Sequence, residues 1–216
     1  MYKNLNIAIC VPSAGEWKSE FGKSLAMLFS YFADKRVGGC KSQRLQLFTS
    51  EGSMLVQLRH SLVAAAMKEG CTHVLFLDSD MKFPRNLLHR FLASEKRVIG
   101  ANCTTRVEPV VSTAHSLEGP KIDSRGKEGL QEVSRVGTAV MLIDSAVFKK
   151  LHPPLFMMEW IPDSQAYCGE DVYFCAKLSE VGEKVYIDHE VSVQVEHCGN
   201  KTYGHSMITE KENAKV

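Results

Sequence analysis

The 216-residue chain has no stretch approaching the ~18 consecutive apolar residues that a membrane span requires. The apolar segment within MYKNLNIAICVPSAGEW is too short for a signal peptide. Its seven cysteines include no CxxC pair and no framework spacing, which excludes a finger-type zinc site and argues against a set of disulfides. They read as buried thiols in a reducing compartment, with Cys10, Cys71 and Cys103 in or beside apolar runs, and the expected location is the cytoplasm. An excess of either charge is also missing. The formal net charge of +1 leaves no whole-protein field to draw the chain onto nucleic acid or an anionic membrane, so partners must be argued from sites. There is no internal repeat and no dividing linker. With 44% hydrophobic residues, the composition supplies one ordinary core, so one domain is expected over 1–216, with a polar tail from about 201.

What is present is a rhythm. The mostly apolar run Leu5 to Val11, stopped by Pro12, Ser13 and Gly15, predicts a central strand, and a helix follows over Glu16 to Ala33. Arg44 to Thr49 predicts a second strand. Ser53 is placed to cap a helix with Leu55, Leu58, Leu62 and Ala66 on one face, closed by Gly70. The third strand is THVLFLDSDMKFP, after which Pro84 fits the first turn of a helix to Ala93, and Arg97 to Ala101 returns as a strand. A β-then-α alternation repeated three times predicts an α/β three-layer sandwich around a mostly parallel sheet, with ligands at the carboxyl ends of the strands.

Residues 102–130 read as a loop, with SLEGPKIDSRGKEG an exposed hairpin or mobile segment. Strands are expected within Glu132 to Asp144 around Gly137, and a short helix over Ser145 to Leu151. A helix from Glu170 to Val181 has Val172, Cys175, Leu178 and Val181 on one face and is closed by Gly182. The last strands are Lys184 to Ile187 and Val191 to Glu196.

Alternate side chains of an extended segment point the same way, so Asp78 and Asp80 can converge while Ser79 faces elsewhere. Two such carboxylates repel unless a proton or a cation relieves them, and Mg²⁺ or Mn²⁺ is the natural partner because it retains positions for water and phosphate oxygens. The bland alternative is a solvated turn. Glu170 and Asp171 open a helix, where its unpaired amides favour negative charge, yet a carboxylate there can equally serve as a base.

Taken in order, IAICVPSAGEW, LVQLRHSLVAAAM, FLDSDM, VGTAVMLID, GEDVYFCAKLSEVG and VEHCG resemble the nucleotide-sugar glycosyltransferases of GT-A (Rossmann-like) fold. The likeness is greatest to family-2-like enzymes, including short single-domain members of bacteriophage type, and spans about Ile7 to Tyr203. The resemblance implies a nucleoside-diphosphate-sugar donor, a hydroxyl acceptor and an inverting reaction. It implies Asp78 and Asp80 as ligands of Mn²⁺ or Mg²⁺, with Asp80 first and Asp78 nearer the ribose, and His197 completing the site. It also implies Pro12, Ser13, Glu16 and Ser79 around the nucleoside and Asp171 as the base. Arg59 matches the Arg of an "RN" pattern whose Asn is here His60, and could neutralise phosphate or form a helix ion pair. Trp160, Glu170 and Thr138 are expected near the acceptor, though Trp160 equally suits a core. The acceptor, whether a modified DNA base, a glycan or a protein hydroxyl, stays open.

Two rival readings remain. FLDSD is similar to the start of aspartate-nucleophile phosphatases, but there the motif lies at the first strand and is followed by Thr or Val, where this chain has Lys82. A non-catalytic nucleotide-binding module is the other, although such a module has no physical reason to keep Asp78, Asp80, Asp171 and His197 together.

Overall fold

The computed structural model describes residues 4–199 and 202–208. Its elements are β1 (Asn4–Ser13), α1 (Ser19–Asp34), β2 (Ser42–Glu51), α2 (Leu55–Lys68), β3 (His73–Leu77), β4 (Met81–Lys82), α3 (Leu87–Ala93), β5 (Val98–Gly100), β6 (Leu130–Val133), β7 (Val140–Asp144) and α4 (Ser145–Phe148). After these come β8 (Glu159–Ile161), β9 (Ala166–Cys168), α5 (Glu170–Glu180), β10 (Val185–Asp188), α6 (His189–Ser192), β11 (Glu196–Cys198) and β12 (Thr202–Tyr203).

Seven strands form the central sheet in the order β2-β1-β3-β7-β5-β10-β6. β1 pairs in parallel with β2 and β3, and β10 with β5, whereas β7 is antiparallel to both β3 and β5, and β6 is antiparallel to β10. The sheet is therefore mostly parallel, with only β6 and β7 reversed. Alternation along β1 explains the layering. Ile7, Ile9 and Val11 pack with Phe21, Leu25 and Leu28 of α1 and Leu88 and Phe91 of α3. Ala8 and Cys10 pack on the other face with Leu62, Val63 and Ala66 of α2 and Phe174 and Leu178 of α5. The inner strands β1, β3, β5 and β7 are apolar on both sides because helices cover both faces, whereas the outer strands β2 and β6 are more polar and mostly half-buried or exposed. None of the cysteines forms a disulfide, and no helix among the described residues is long and apolar enough to cross a membrane.

Gly70, at φ +64°, follows α2 in the left-handed conformation, and the amides of Gly70 and Cys71 donate back to Met67 O and Ala66 O. That pairing satisfies the last carbonyls of the helix. Several expectations change. Ser53 does not cap α2, whose N-cap is Met54, with no side-chain hydrogen bond. Pro84 precedes α3 and instead opens a turn, its carbonyl accepting from Leu87 N. The buried residues of α5 are Phe174, Cys175 and Leu178, with Val172 only half-buried.

Val191 to Glu196 is not a strand, despite its alternating pattern. Asp188 accepts from Val191 N and Ser192 Oγ donates to Asp188 O, folding the segment into α6 and a turn. The segment 102–130 is more anchored than its composition indicates. Asn102 is buried, donating to Ile122 O and Ser124 Oγ and accepting from Ala114 N. These bonds fasten the segment that carries the His115–Lys121 bridge to the chain leaving the carboxyl end of β5. Part of the expected polar tail, residues 209–216, lies outside the described residues.

Candidate active site

Parallel pairing of β1 and β3 sets Ile7 beside His73 and Cys10 beside Phe76, so the two strands release their chains side by side at the sheet's carboxyl edge. A hollow of about 420 Å³ opens there, a size typical of small-molecule sites. Its lining includes Pro12, Ser13, Glu16, Asp78, Ser79 and Asp80, brought together as the sequence leads one to expect, and also Lys18 and Arg106. Lys18 N donates to Ser79 O, tying the entry of α1 to the acidic turn. The Ser13 hydroxyl accepts from Gly15 N and donates to Glu16 O, so it shapes the turn. Gly15 has φ +108°, and a Cβ on it would meet Glu51 Oε1 at 3.0 Å.

Asp78 and Asp80 do not share one cation. Each has its own arginine. Asp78 accepts from Arg59 Nη2 at 3.0 and 3.3 Å on its two oxygens, while Asp80 Oδ2 lies 2.6 Å from Arg106 Nη1. Arg59 is only 1% exposed; its Nε donates to Glu170 Oε1 at 3.3 Å and its guanidinium lies 5.1 Å from the centroid of Phe76. It therefore stands in the wall of the site, not on its surface. Of the two expectations for Arg59, the ion pair is present, and its Nη1 is buried with no partner among the described residues. His60, in place of the Asn, accepts from Phe156 N and faces Phe156 O.

His197 is positioned by a second ladder, in which Met81 of β4 pairs with His197 of β11 and Cys198 N donates to Asp80 O. Its Nδ1 faces Thr104 O at 2.8 Å and its Nε2 faces Asp80 Oδ2 at 3.2 Å. Burial alone would lower the His197 pKa, yet the Asp80 carboxylate and the Thr104 carbonyl hold it above the ordinary value. Burial pushes Asp80 upward, and the hydrogen bond and charge of His197, with Arg106, outweigh it and leave its pKa below the ordinary value.

Among the described residues, no three His, Cys, Asp or Glu side chains gather as a ready metal cage. Of the anticipated set of Asp78, Asp80 and His197, Asp78 is paired with Arg59 and Asp80 with His197. Asp80 and His197 alone present one carboxylate and one imidazole toward each other, with the imidazole's other nitrogen fixed by a carbonyl. That is the arrangement of a metal-ligating histidine. These two residues fit a dication that draws its other ligands from phosphate and water.

Arg59 links the acidic turn to the start of α5. Glu170 is pushed above the carboxylate range by burial, against the pull of Arg59 and with the push of Asp171 and Asp78. Next to it, Asp171 lies in a niche beside two glycines, of which Gly169 leaves it room that a side chain would take. A Cβ on Gly169 would come within 2.5 Å of Asp171 Oδ1, and one on Gly137 would stand 3.6 Å from Asp171 Oδ2 and 3.4 Å from Thr113 Oγ1. The buried Thr113 and Thr138 hydroxyl oxygens have no hydrogen-bond partner among the described residues. This niche adjoins the hollow through Ala139, whose carbonyl accepts from Asp78 N. Trp160, 48% exposed, stands outside on the β8–β9 hairpin, edge-on to the exposed Tyr167, and so is not a core residue.

Sequence reasoning missed Lys18, Arg106, Thr113 and Gly169. Gly169 alone carried a signal, as the small residue directly before the acidic pair.

No family profile matches the sequence, and no curated protein matches it. Among solved structures, the chain is similar to A197 from STIV, with TM-score 0.59 and 14% identity over 94% of this chain and 91% of that one. The catalytic domain of Drosophila beta1,4-galactosyltransferase 7, in complex with xylobiose, gives TM-score 0.49 and 15% identity over 98% and 74%. S. aureus TarS 1-349 in complex with UDP-GlcNAc gives 0.47 and 14% over 85% and 56%. At such identities the likeness is one of fold. The α/β sandwich class expected from the sequence is the class observed.

Proposed function

We propose that the whole chain, acting in the cytoplasm, is one glycosyltransferase domain of GT-A type that moves a sugar from a nucleoside-diphosphate sugar to a hydroxyl acceptor with inversion. What supports this is the gathering of six of the anticipated residues on one hollow at the carboxyl ends of β1 and β3. His197 reaches that hollow through Asp80, and Arg59 joins Asp78 to Glu170, the neighbour of Asp171 at the start of α5.

The Pro12–Glu16 turn and Ser79 receive the nucleoside. Asp80 and His197 would hold Mn²⁺ or Mg²⁺, which as a Lewis acid stabilises the charge developing on the leaving diphosphate. Asp78, fixed by Arg59, shapes the ribose side of the hollow. A sugar hydroxyl is a weak nucleophile until its proton is accepted, and Asp171 Oδ2, facing the Gly137 niche, accepts it as the acceptor oxygen attacks the anomeric carbon. Thr138 and Glu170 orient that acceptor, and the exposed ring of Trp160 offers it an apolar face.

The test is a panel of nucleotide sugars and phosphomonoesters assayed with Mn²⁺ and with a chelator, followed by DNA, glycan and protein acceptors for the donor that responds. Chelator-sensitive release of a nucleoside diphosphate from one donor is expected. Turnover of phosphomonoesters alone would favour the phosphatase reading. Metal-dependent nucleotide binding without transfer to any acceptor would favour the binding module.

A further inference from the structure

We propose that Arg106 is a displaceable latch on Asp80 and that, once released, it binds the anionic diphosphate of the donor. This rests on the donor-site reading above.

The two arginines on the acidic turn differ in kind. Arg59 is buried, braced on Phe76 and shared with Glu170. Arg106 has a side chain 56% exposed, and the hydrogen bonds across its loop run between Thr105 and Val111, which leaves the tip that carries it free of ladder pairing. Arg106 is the exposed member of its pair, and Asp80, 18% exposed, keeps His197 when it leaves, so a competing ligand displaces Arg106 at smaller cost than Arg59. Displacing the buried Arg59 would leave two half-buried carboxylates, Asp78 and Glu170, without the cation they share. The contested atom is Asp80 Oδ2, which accepts from both Arg106 and His197 and is the oxygen a dication would need.

Charge balance gives the released guanidinium its destination. The hollow is lined by Glu16, Asp78 and Asp80 against only Lys18 and Arg106. Asp78 is already matched by Arg59 in the wall, so once a dication takes Asp80 Oδ2 the freed guanidinium is left beside the diphosphate, and its planar fork suits two phosphate oxygens at once. One side chain therefore relieves Asp80 in the empty protein and serves the anion in the filled one.

This arrangement predicts effects of opposite sign. Mn²⁺ binding is followed by the paramagnetic resonance signal of the free ion, first alone and then with UDP or GDP, for the wild type, Arg106→Ala and Arg106→Gln. The substitutions are expected to tighten binding of Mn²⁺ alone about 3-fold, because a competitor for Asp80 is gone. They are expected to weaken nucleoside-diphosphate binding at saturating Mn²⁺ about 10-fold, through loss of a charge-assisted contact. Arg106→Lys should fall between. Both affinities unchanged, or both moving the same way, would overturn the latch while leaving the donor site standing. A wild-type chain that binds neither Mn²⁺ nor a nucleoside diphosphate overturns both.

Discussion

Asp171→Asn is expected to lower kcat by about 10²- to 10⁴-fold, the usual contribution of a positioned general base, while leaving donor affinity unchanged. The split follows from geometry. Asp171 belongs to the α5 niche and is absent from the lining of the hollow. An amide keeps the volume of the carboxylate but accepts no proton at neutral pH. Gly169→Ala supplies a companion result, because its Cβ would lie 2.5 Å from Asp171 Oδ1 while Gly169 itself has φ −68° and ψ 159°, which alanine adopts freely. The carboxylate must move, and a displacement of about 1 Å in a catalytic group is worth roughly 10²-fold in rate. Folding should be nearly unaffected in both variants. If donor binding and turnover fell together in Asp171→Asn, the residue would belong to the donor site and the assignment of the base would be wrong.

Arg59→Ala carries the largest expected loss of stability, about 3 kcal/mol. Breaking a buried ion pair by removing one partner typically costs more, but Asp78 keeps a quarter of its side chain exposed, and solvent eases part of the penalty. For a chain of this size the corresponding fall in Tm is roughly 6–12 °C. The sign of its pH dependence follows from Glu170, whose folded-state pKa is already raised by burial and is held down chiefly by Arg59. A carboxyl whose folded pKa exceeds its unfolded value takes up a proton on folding, so stability falls as pH rises from the unfolded value through the folded one. Without Arg59 that pKa rises further. The variant's deficit should be largest near neutrality and narrow as pH falls toward about 4. Urea denaturation of both proteins between pH 4 and 7.5 measures it, and a deficit independent of pH would show that lost packing, not uncompensated charge, is the cause.

How much of this was legible in the sequence depended on whether the signal was local. Leu5 to Val11 and Val74 to Leu77 are apolar runs cut off by turn or acidic residues, so the central strands and their carboxyl-end hollow could be read directly. Gly70 marked a helix end for the same local reason. The partners of the acids were not legible, because Arg59 lies 19 residues before Asp78 and Arg106 lies 26 after Asp80, and only packing joins them. A convergent pair of acids implied a positive partner. It could not reveal that two arginines were already present and that one was buried. VSVQVE misled because its alternation is real, but a capping carboxylate at Asp188 and the turn that follows override it. The 102–130 segment looked free because its anchor is one buried asparagine whose partners lie at residues 114, 122 and 124.

Asp80 is proposed here as the carboxylate of the acidic turn that exchanges its arginine for a metal ion. Calorimetric titration of the responding nucleoside diphosphate into wild type, Asp80→Ala and Asp78→Asn, with and without Mn²⁺, tests this most directly. Metal-enhanced binding is expected in the wild type, with loss of that enhancement in Asp80→Ala and its persistence in Asp78→Asn, whose carboxylate is paired with Arg59. Undiminished metal enhancement in Asp80→Ala would contradict it.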